Sequence, residues 1–319
     1  MIFENTFENL SDEQISMLDE YFDTIDYNSA GHTFSSCYMW RNTHNLTWQI
    51  VDGYLLISSG TGDEDEEGNK IGYMSSPLTK TGSYDVQSLR SAILKAKAMF
   101  EAKGFKMSMS LIPAAIIEPV KEAVGDIFDF DHDRDDDEYV YLREELATLS
   151  GRKLHNKKNH LNQFLKTYEY TYEEINADNL PEVEDFILAK NDYILQDMPK
   201  KYRMMLEMEG EAIAELLKFV GTGRILTGII RVDGKIVAAT IGEYASTKKR
   251  DGVIVHVEKA DDRLKGLYQA INWEFVRHLP EEVIYVNREE DMGLPTLRQT
   301  KEGYKPHHMG EKYIGKLKK

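Results

Sequence analysis

One offset recurs along the 319-residue chain. A helix expected from about Asp85 to Lys103 has a counterpart over 263–279, and a strand near 105–111 has one at 283–287; both pairs lie 178 residues apart. A short helix near 114–124 has a counterpart that Pro295 opens and Gly303 ends, at an offset of 180. One spacing shared by three elements in the same order is the mark of a duplicated fold, with a unit of about 160 residues. The chain therefore reads as two domains, 1–147 and 148–319. Each runs helix, antiparallel strands, helix, strand, helix, strands. That order gives an α/β (α+β) class with mostly antiparallel sheets flanked by helices.

Local signals agree. Ser11 and Gln14 form a capping box ahead of an apolar stripe of Ile15, Leu18, Phe22 and Ile25. Asp52-Gly53 and Asp233-Gly234 each sit between two β-rich runs, the signal of a tight hairpin. Residues 252–260 supply a third strand after the second hairpin. Leu89, Ile93, Ala96 and Phe100 share one helical face, as do Leu264, Leu267, Ile271 and Phe275.

Charge is divided unevenly. The net charge is −16, which argues against a surface that coats nucleic acid. Residues 1–147 hold 11 Lys+Arg and 28 Asp+Glu, whereas 148–319 hold 28 and 27. The caution therefore applies to the first domain, and a local anion site is open to the second. The acidic segments GDEDEEGN (62–69) and DFDHDRDDDE (129–138) read as solvated loops rather than cation sites. Cys37 is the one cysteine, so no intrachain disulfide forms and a reducing, cytoplasmic location is expected. It reads as a small packed hydrophobe. No apolar run reaches the roughly 18 residues of a membrane span, and MIFENTFENL lacks the form of a secretory signal. Walker, GxSxG, HExxH and paired CxxC motifs are absent. Adjacent His307 and His308 are the closest approach to a metal spacing, and no metal site is expected.

Three stretches could carry chemistry. GRKLHNKKNHLNQFLK (151–166) is a basic helix without an acid, with Leu154, Leu161 and Leu165 as its apolar stripe. Lys153, Lys157 and His160 share another face. Cations crowd the start of this helix against the macrodipole, which suits either a nearby phosphate or a solvated or acid-paired surface. DDRLKGLYQAIN (261–272) places Arg263-x-x-Gly266 after a strand, at the opening of a helix whose unpaired N–H groups can meet a pyrophosphate. VNREEDMGLPTLRQTKEGYKP (286–306) ends a strand in polar residues, where a crevice is common. On its helix, Arg298 and Lys301 share a face and Glu302 can pair with Arg298. A site and an ion-pair network that locks helix to strand are both compatible with that segment.

GRKLHNKKNHLNQF together with NREEDMGLPTLRQTKEGYKP resembles the family of the phosphatidylglycerol lysyltransferase C-terminal domain, over essentially the whole chain. That family is similar in fold to the Fem-type aminoacyltransferases, two GCN5-related N-acetyltransferase (GNAT) domains in tandem. The resemblance implies acyl or aminoacyl transfer by direct attack, from aminoacyl-tRNA or acyl-CoA, to an amine or hydroxyl of a small-molecule or peptidoglycan-type acceptor. The donor is a substrate, and no tightly bound cofactor is expected. Donor contacts fall on Arg263, Lys265, Gly266, His256 and Glu258. Lys153, Lys157, Lys158, His160, Asn287 and Arg298 would bind substrate, the lysines through phosphates. Arg288, Glu289 and Tyr304 would be catalytic, with Glu289 the proton acceptor and Tyr304 the proton donor. Tyr268 stands where the acetyltransferase loop has a small residue and would crowd a CoA pyrophosphate. Two rival readings are an acetyl-CoA-dependent N-acetyltransferase and a binding module that keeps the fold without catalysis.

Overall fold

A computed structural model describes residues 1–24, 29–197 and 200–318. Ile25 of the first helical stripe lies outside them. The chain divides into two compact units: 1–137 with 246–248 and 310–319, and 138–245 with 249–309.

The first unit contains β1 (Asn5–Thr6), α1 (Asp12–Phe22), α2 (Phe34–Trp40), β2 (Thr47–Val51), β3 (Tyr54–Ser59), β4 (Ile71–Ser75), β5 (Leu78–Thr79), α3 (Val86–Ala102), β6 (Lys106–Pro113), α4 (Ile117–Val124) and β7 (Phe128–His132). The second contains β8 (Glu138–Leu142), α5 (Arg143–Thr148), α6 (His155–Thr167), β9 (Tyr170–Glu173), α7 (Leu180–Asp197), α8 (Lys200–Leu217), β10 (Ile225–Val232), β11 (Lys235–Tyr244), β12 (Gly252–Ala260), α9 (Leu267–His278), β13 (Tyr285–Asn287), α10 (Pro295–Glu302) and β14 (His308–Gly310). The last strand, β15 (Lys312–Leu317), belongs to the first unit.

The duplication is visible in the sheets. Their orders are β1-β2-β3-β4-β6-β15-β7 and β9-β10-β11-β12-β13-β8-β14. In each, a hairpin leads to a third antiparallel strand, which then pairs in parallel with the strand after the long helix: β4 with β6, and β12 with β13. Both hairpins turn at Asp-Gly with positive φ at both residues, 49° and 85° at 52–53 and 50° and 75° at 233–234. That backbone matches the twist of the flanking strands. Past the fifth strand the halves exchange partners. β15 pairs with β6 and β7 in the first sheet, and β8 pairs with β13 in the second. A linear boundary after 147 therefore differs from the observed division, because β8 and α5 build the second unit and β15 the first.

The helical faces bury as the spacing requires. Leu89, Ala92, Ile93, Ala96 and Phe100 of α3 are fully covered, each large side chain contributing about 1.5–3 kcal/mol. In the second unit α9 starts at Leu267, later than the sequence spacing predicts, because 261–266 form a turn. Leu154, Leu161 and Phe164 of the basic helix are buried, while Leu165 is exposed. Cys37 is buried. The acidic run is less solvated than expected: Asp137 and Glu138 are 2 % and 1 % exposed, Asp137 bound to His132 and Glu138 to Asn287. Helices α7 and α8, between β9 and β10, add to the elements that the repeat spacing predicts. Among the described residues no helix is long and apolar enough to cross a membrane.

Deleting residues 311–319 should strip β6 and β7 of their shared neighbour. Hydrogen exchange should then show lost protection in the first unit, with β12 and α9 still protected. Unchanged protection at β6 and β7 would contradict the strand exchange.

Candidate active site

The site lies wholly in the second unit, where β12 and β13 part. The two strands pair only over Gly252–Ile254 and Tyr285–Asn287. β12 continues to Ala260, whereas the chain after Asn287 turns away, with Glu289 at φ 56° and Met292 at φ 52°. A register shift against β11 at Ile241/Gly242 falls beside His256 and re-aims the side chains there. The gap is bridged by charged side chains from its two banks. His256 Nδ1 lies 2.7 Å from Glu289 Oε1, and Arg288 Nη2 donates to Glu258 Oε1 at 2.7 Å.

His256 is held at both ends. Its Nε2 lies 2.8 Å from Glu243 Oε1, and its side chain is 2 % exposed. Burial alone would lower its pKa. Hydrogen bonds to Glu243 and Glu289, reinforced by their charges, raise it to about 10. With an acceptor on each nitrogen, the ring is an imidazolium donating both ways. This fixes one oxygen of Glu289.

The loop that presents Arg288 and Glu289 is tied down from beneath. Lys301, 8 % exposed, donates its ammonium to the carbonyl oxygens of Arg288 (2.7 Å), Glu289 (3.2 Å) and Glu290. Burial lowers its pKa. Asn287, fully buried, accepts the Glu289 N–H and donates to Glu138. Asp291 accepts two bonds from Arg298, one from the Tyr139 hydroxyl and one from the Gly293 N–H. Burial raises its pKa, but these donors, Arg298 first, bring it down to about 2. Arg298 thus locks α10 to the loop, the ion-pair reading of that segment.

A second cluster stands beside the first. The Tyr304 ring, 2 % exposed, lies 4.8 Å from the Arg288 guanidinium and 4.1 Å from the Lys157 ammonium. Burial pushes the Tyr304 hydroxyl up to about 12, so it stays protonated. Burial, then the charge of Arg288, push Lys157 down to about 8. The structure therefore brings together His256, Glu258, Arg288, Glu289, Tyr304 and Lys157, with Asn287 and Arg298 in support. It leaves Lys153, Lys158, His160 and Lys265 exposed at the surface. Arg263 is 83 % exposed and paired with Asp261 of its own turn. Gly266 has a local reason: φ is 84°, and a Cβ there would sit 2.1 Å from the His160 carbonyl oxygen. Its missing side chain lets α9 start against α6. Glu243 is not among the residues the sequence points to, and Lys301, expected to share a face with Arg298, instead reaches beneath the loop. Glu243 sits in an otherwise apolar strand, VAATIGEY, and a buried acid there calls for a cationic partner.

Residues 22–316 match the family described as phosphatidylglycerol lysyltransferase, C-terminal. The chain belongs to that family. A protein of unknown function from Bacteroides thetaiotaomicron superposes with a TM-score of 0.80 at 28 % identity, over 98 % of this chain and 99 % of its own. L-PGS from Bacillus licheniformis superposes at 0.60 with 13 % identity, over 94 % and 91 %. A tandem GNAT protein from the clavulanic acid biosynthesis pathway superposes at 0.51 with 11 % identity, over 98 % and 96 %. The tandem GNAT fold expected from the sequence is thereby established for this lysyltransferase-family chain. An uncharacterized protein of Mycoplasmoides gallisepticum is 28 % identical over 183 residues, 56 % of this chain, and the match spans 56 % of that relative's length.

Two results should follow. The raised pKa of His256 means its stabilisation is complete below its unfolded value of 6.5 and is lost as pH rises through about 10. The melting temperature of wild type should therefore fall toward that of His256→Gln between these limits; a constant gap would contradict the doubly bonded imidazolium. Gly266→Ala should cost about 2 kcal/mol or more in urea unfolding, and a neutral substitution would show that α6 and α9 are not in this contact.

Proposed function

We propose that this chain transfers an aminoacyl or acyl group from an activated, anionic donor to an amine or hydroxyl. The observation that carries the reading is the Glu243–His256–Glu289 chain at the point where β12 and β13 part. Glu289 is 27 % exposed, and His256 occupies one of its two oxygens. The other can take the proton of an acceptor N–H or O–H as its heteroatom attacks the donor carbonyl carbon. The new C–N or C–O bond forms as the bond to the donor's ribose oxygen or thiol sulfur breaks, and the leaving atom departs with the proton that Glu289 took from the acceptor, which restores the carboxylate. His256 holds Glu289 in place, and the tied loop limits motion of both.

Aminoacyl-tRNA fits better as donor than acyl-CoA. Tyr268 is half-buried against the core at the start of α9 and its hydroxyl is hydrogen-bonded to the Ala260 backbone, so a bulky, held side chain stands where a CoA pyrophosphate needs a small residue. The exposed lysines of 151–166 offer phosphate contacts whose strength falls with salt. The family membership and the fold support acyl transfer as the reaction class.

The test is a transfer assay with charged tRNA and with acyl-CoA, against amine and hydroxyl acceptors. Glu289→Gln should lower turnover by about 10²–10⁴-fold. Joint Lys157→Glu and Lys158→Glu substitution should abolish tRNA binding. Undiminished turnover in Glu289→Gln would remove this carboxylate from the reaction.

A further inference from the structure

Arg288 carries an imbalance that the transfer chemistry does not use. Its side chain is 9 % exposed, and Nη2 is taken by Glu258. Its Nη1 is buried without a hydrogen-bond partner among the described residues, and the guanidinium's further polar neighbour is the Tyr304 hydroxyl, which is uncharged. Leaving a charged donor buried and unpaired costs more than leaving a neutral one so, and each such atom needs an explanation. The Lys157 ammonium shares the Tyr304 ring with this guanidinium and gives one bond, 3.2 Å to the Thr300 carbonyl, out of three it can donate. Two cations thus meet over one ring, with Glu258 as the carboxylate at hand. Gly303 makes the space. Its φ of −62° suits any residue, yet a Cβ there would stand 3.1 Å from Lys157 Cε and 3.2 Å from Nζ.

We propose that Arg288 Nη1 and Lys157 Nζ form a receptor for one anionic oxygen group, a phosphate or a carboxylate, of a bound substrate. The group completes the donor set of Arg288 and neutralises the excess positive charge. The inference rests on reading this cleft as the transfer site, but it concerns ground-state binding and is testable without turnover. The charged and titratable groups that face Lys157 are Arg288, Glu258, Tyr304 and Lys305. With its pKa pushed down to about 8, Lys157 loses its proton, and with it the anion, as pH rises through that value.

Calorimetric titration of the full chain with inorganic phosphate, and separately with acetate, tests it. At about pH 7 at least one probe should saturate at roughly millimolar concentration. Lys157→Ala and Gly303→Ala should each weaken it about tenfold or more, while Lys235→Ala, exposed at the β10–β11 turn, should leave it unchanged. Affinity should fall above pH 8. Tighter phosphate assigns the receptor to a phosphate of the substrate, and tighter acetate to a carboxylate. No saturation by either probe in folded protein, or unchanged affinity in both variants, overturns the proposal. Transfer activity without probe binding would leave the transfer reading standing and sink this one; probe binding without transfer would do the reverse.

Discussion

A strand pair that stops early governs the second unit. β12 and β13 share three residue pairs before β13 ends, and β12 continues paired only with β11 on its other side. A gap in a sheet exposes backbone that must be bonded or solvated. Here it is spanned by His256–Glu289 and Arg288–Glu258, charged pairs with strongly covered members. Such pairs repay their desolvation only with close geometry and further bonds. Glu243, Asn272 and the Tyr304 ring supply these on one side. Lys301, Asn287 and Asp291 hold the loop on the other. The positive φ of Glu289 is tolerated because this network over-determines the loop, a pattern common where a side chain must be aimed.

The first unit shows what the same architecture does without this demand. Its parallel pair, β4 with β6, runs through five residue pairs and ends with β4. Among the described residues no third strand continues past a departing loop there, and Met74, Met107 and Met109 are buried in the interior. Duplication gave two similar sheets, and one carries the charged bridge. The exchange of β8 and β15 makes each sheet depend on a strand from the far half of the sequence, so neither half closes its sheet alone.

Much of this was legible in the chain. The repeat spacing, the two Asp-Gly turns and the apolar faces of α3 and α9 follow from period and turn chemistry, which are local. The importance of 287–291 could be read from polar residues crowding a strand end, and the folded structure joins them to His256 and Glu258. What was not legible depends on distant partners. Glu243 gains meaning only beside His256 across the register shift, and Lys301 only beneath the loop. Lys153 and His160 share a helical face with Lys157 in sequence, yet packing against Tyr304 half-buries Lys157 and leaves the others in water. Gly266 matches a ligand-loop spacing, but the His160 carbonyl accounts for it. Helix α7 has a start signal in the sequence, Asn176 and Asn179, whose side chains each accept the other's backbone N–H, with Pro181 in the first turn.

The central claim is that the parted end of β12 and β13 is where an acyl carbon reacts. The direct measurement is the position of that carbon in a complex with a stable aminoacyl-adenosine amide. The account predicts a carbonyl within about 4 Å of the Glu289 carboxylate, between the two banks of the gap. A carbonyl bound elsewhere in the second unit, with Glu289 and Arg288 untouched, would contradict it.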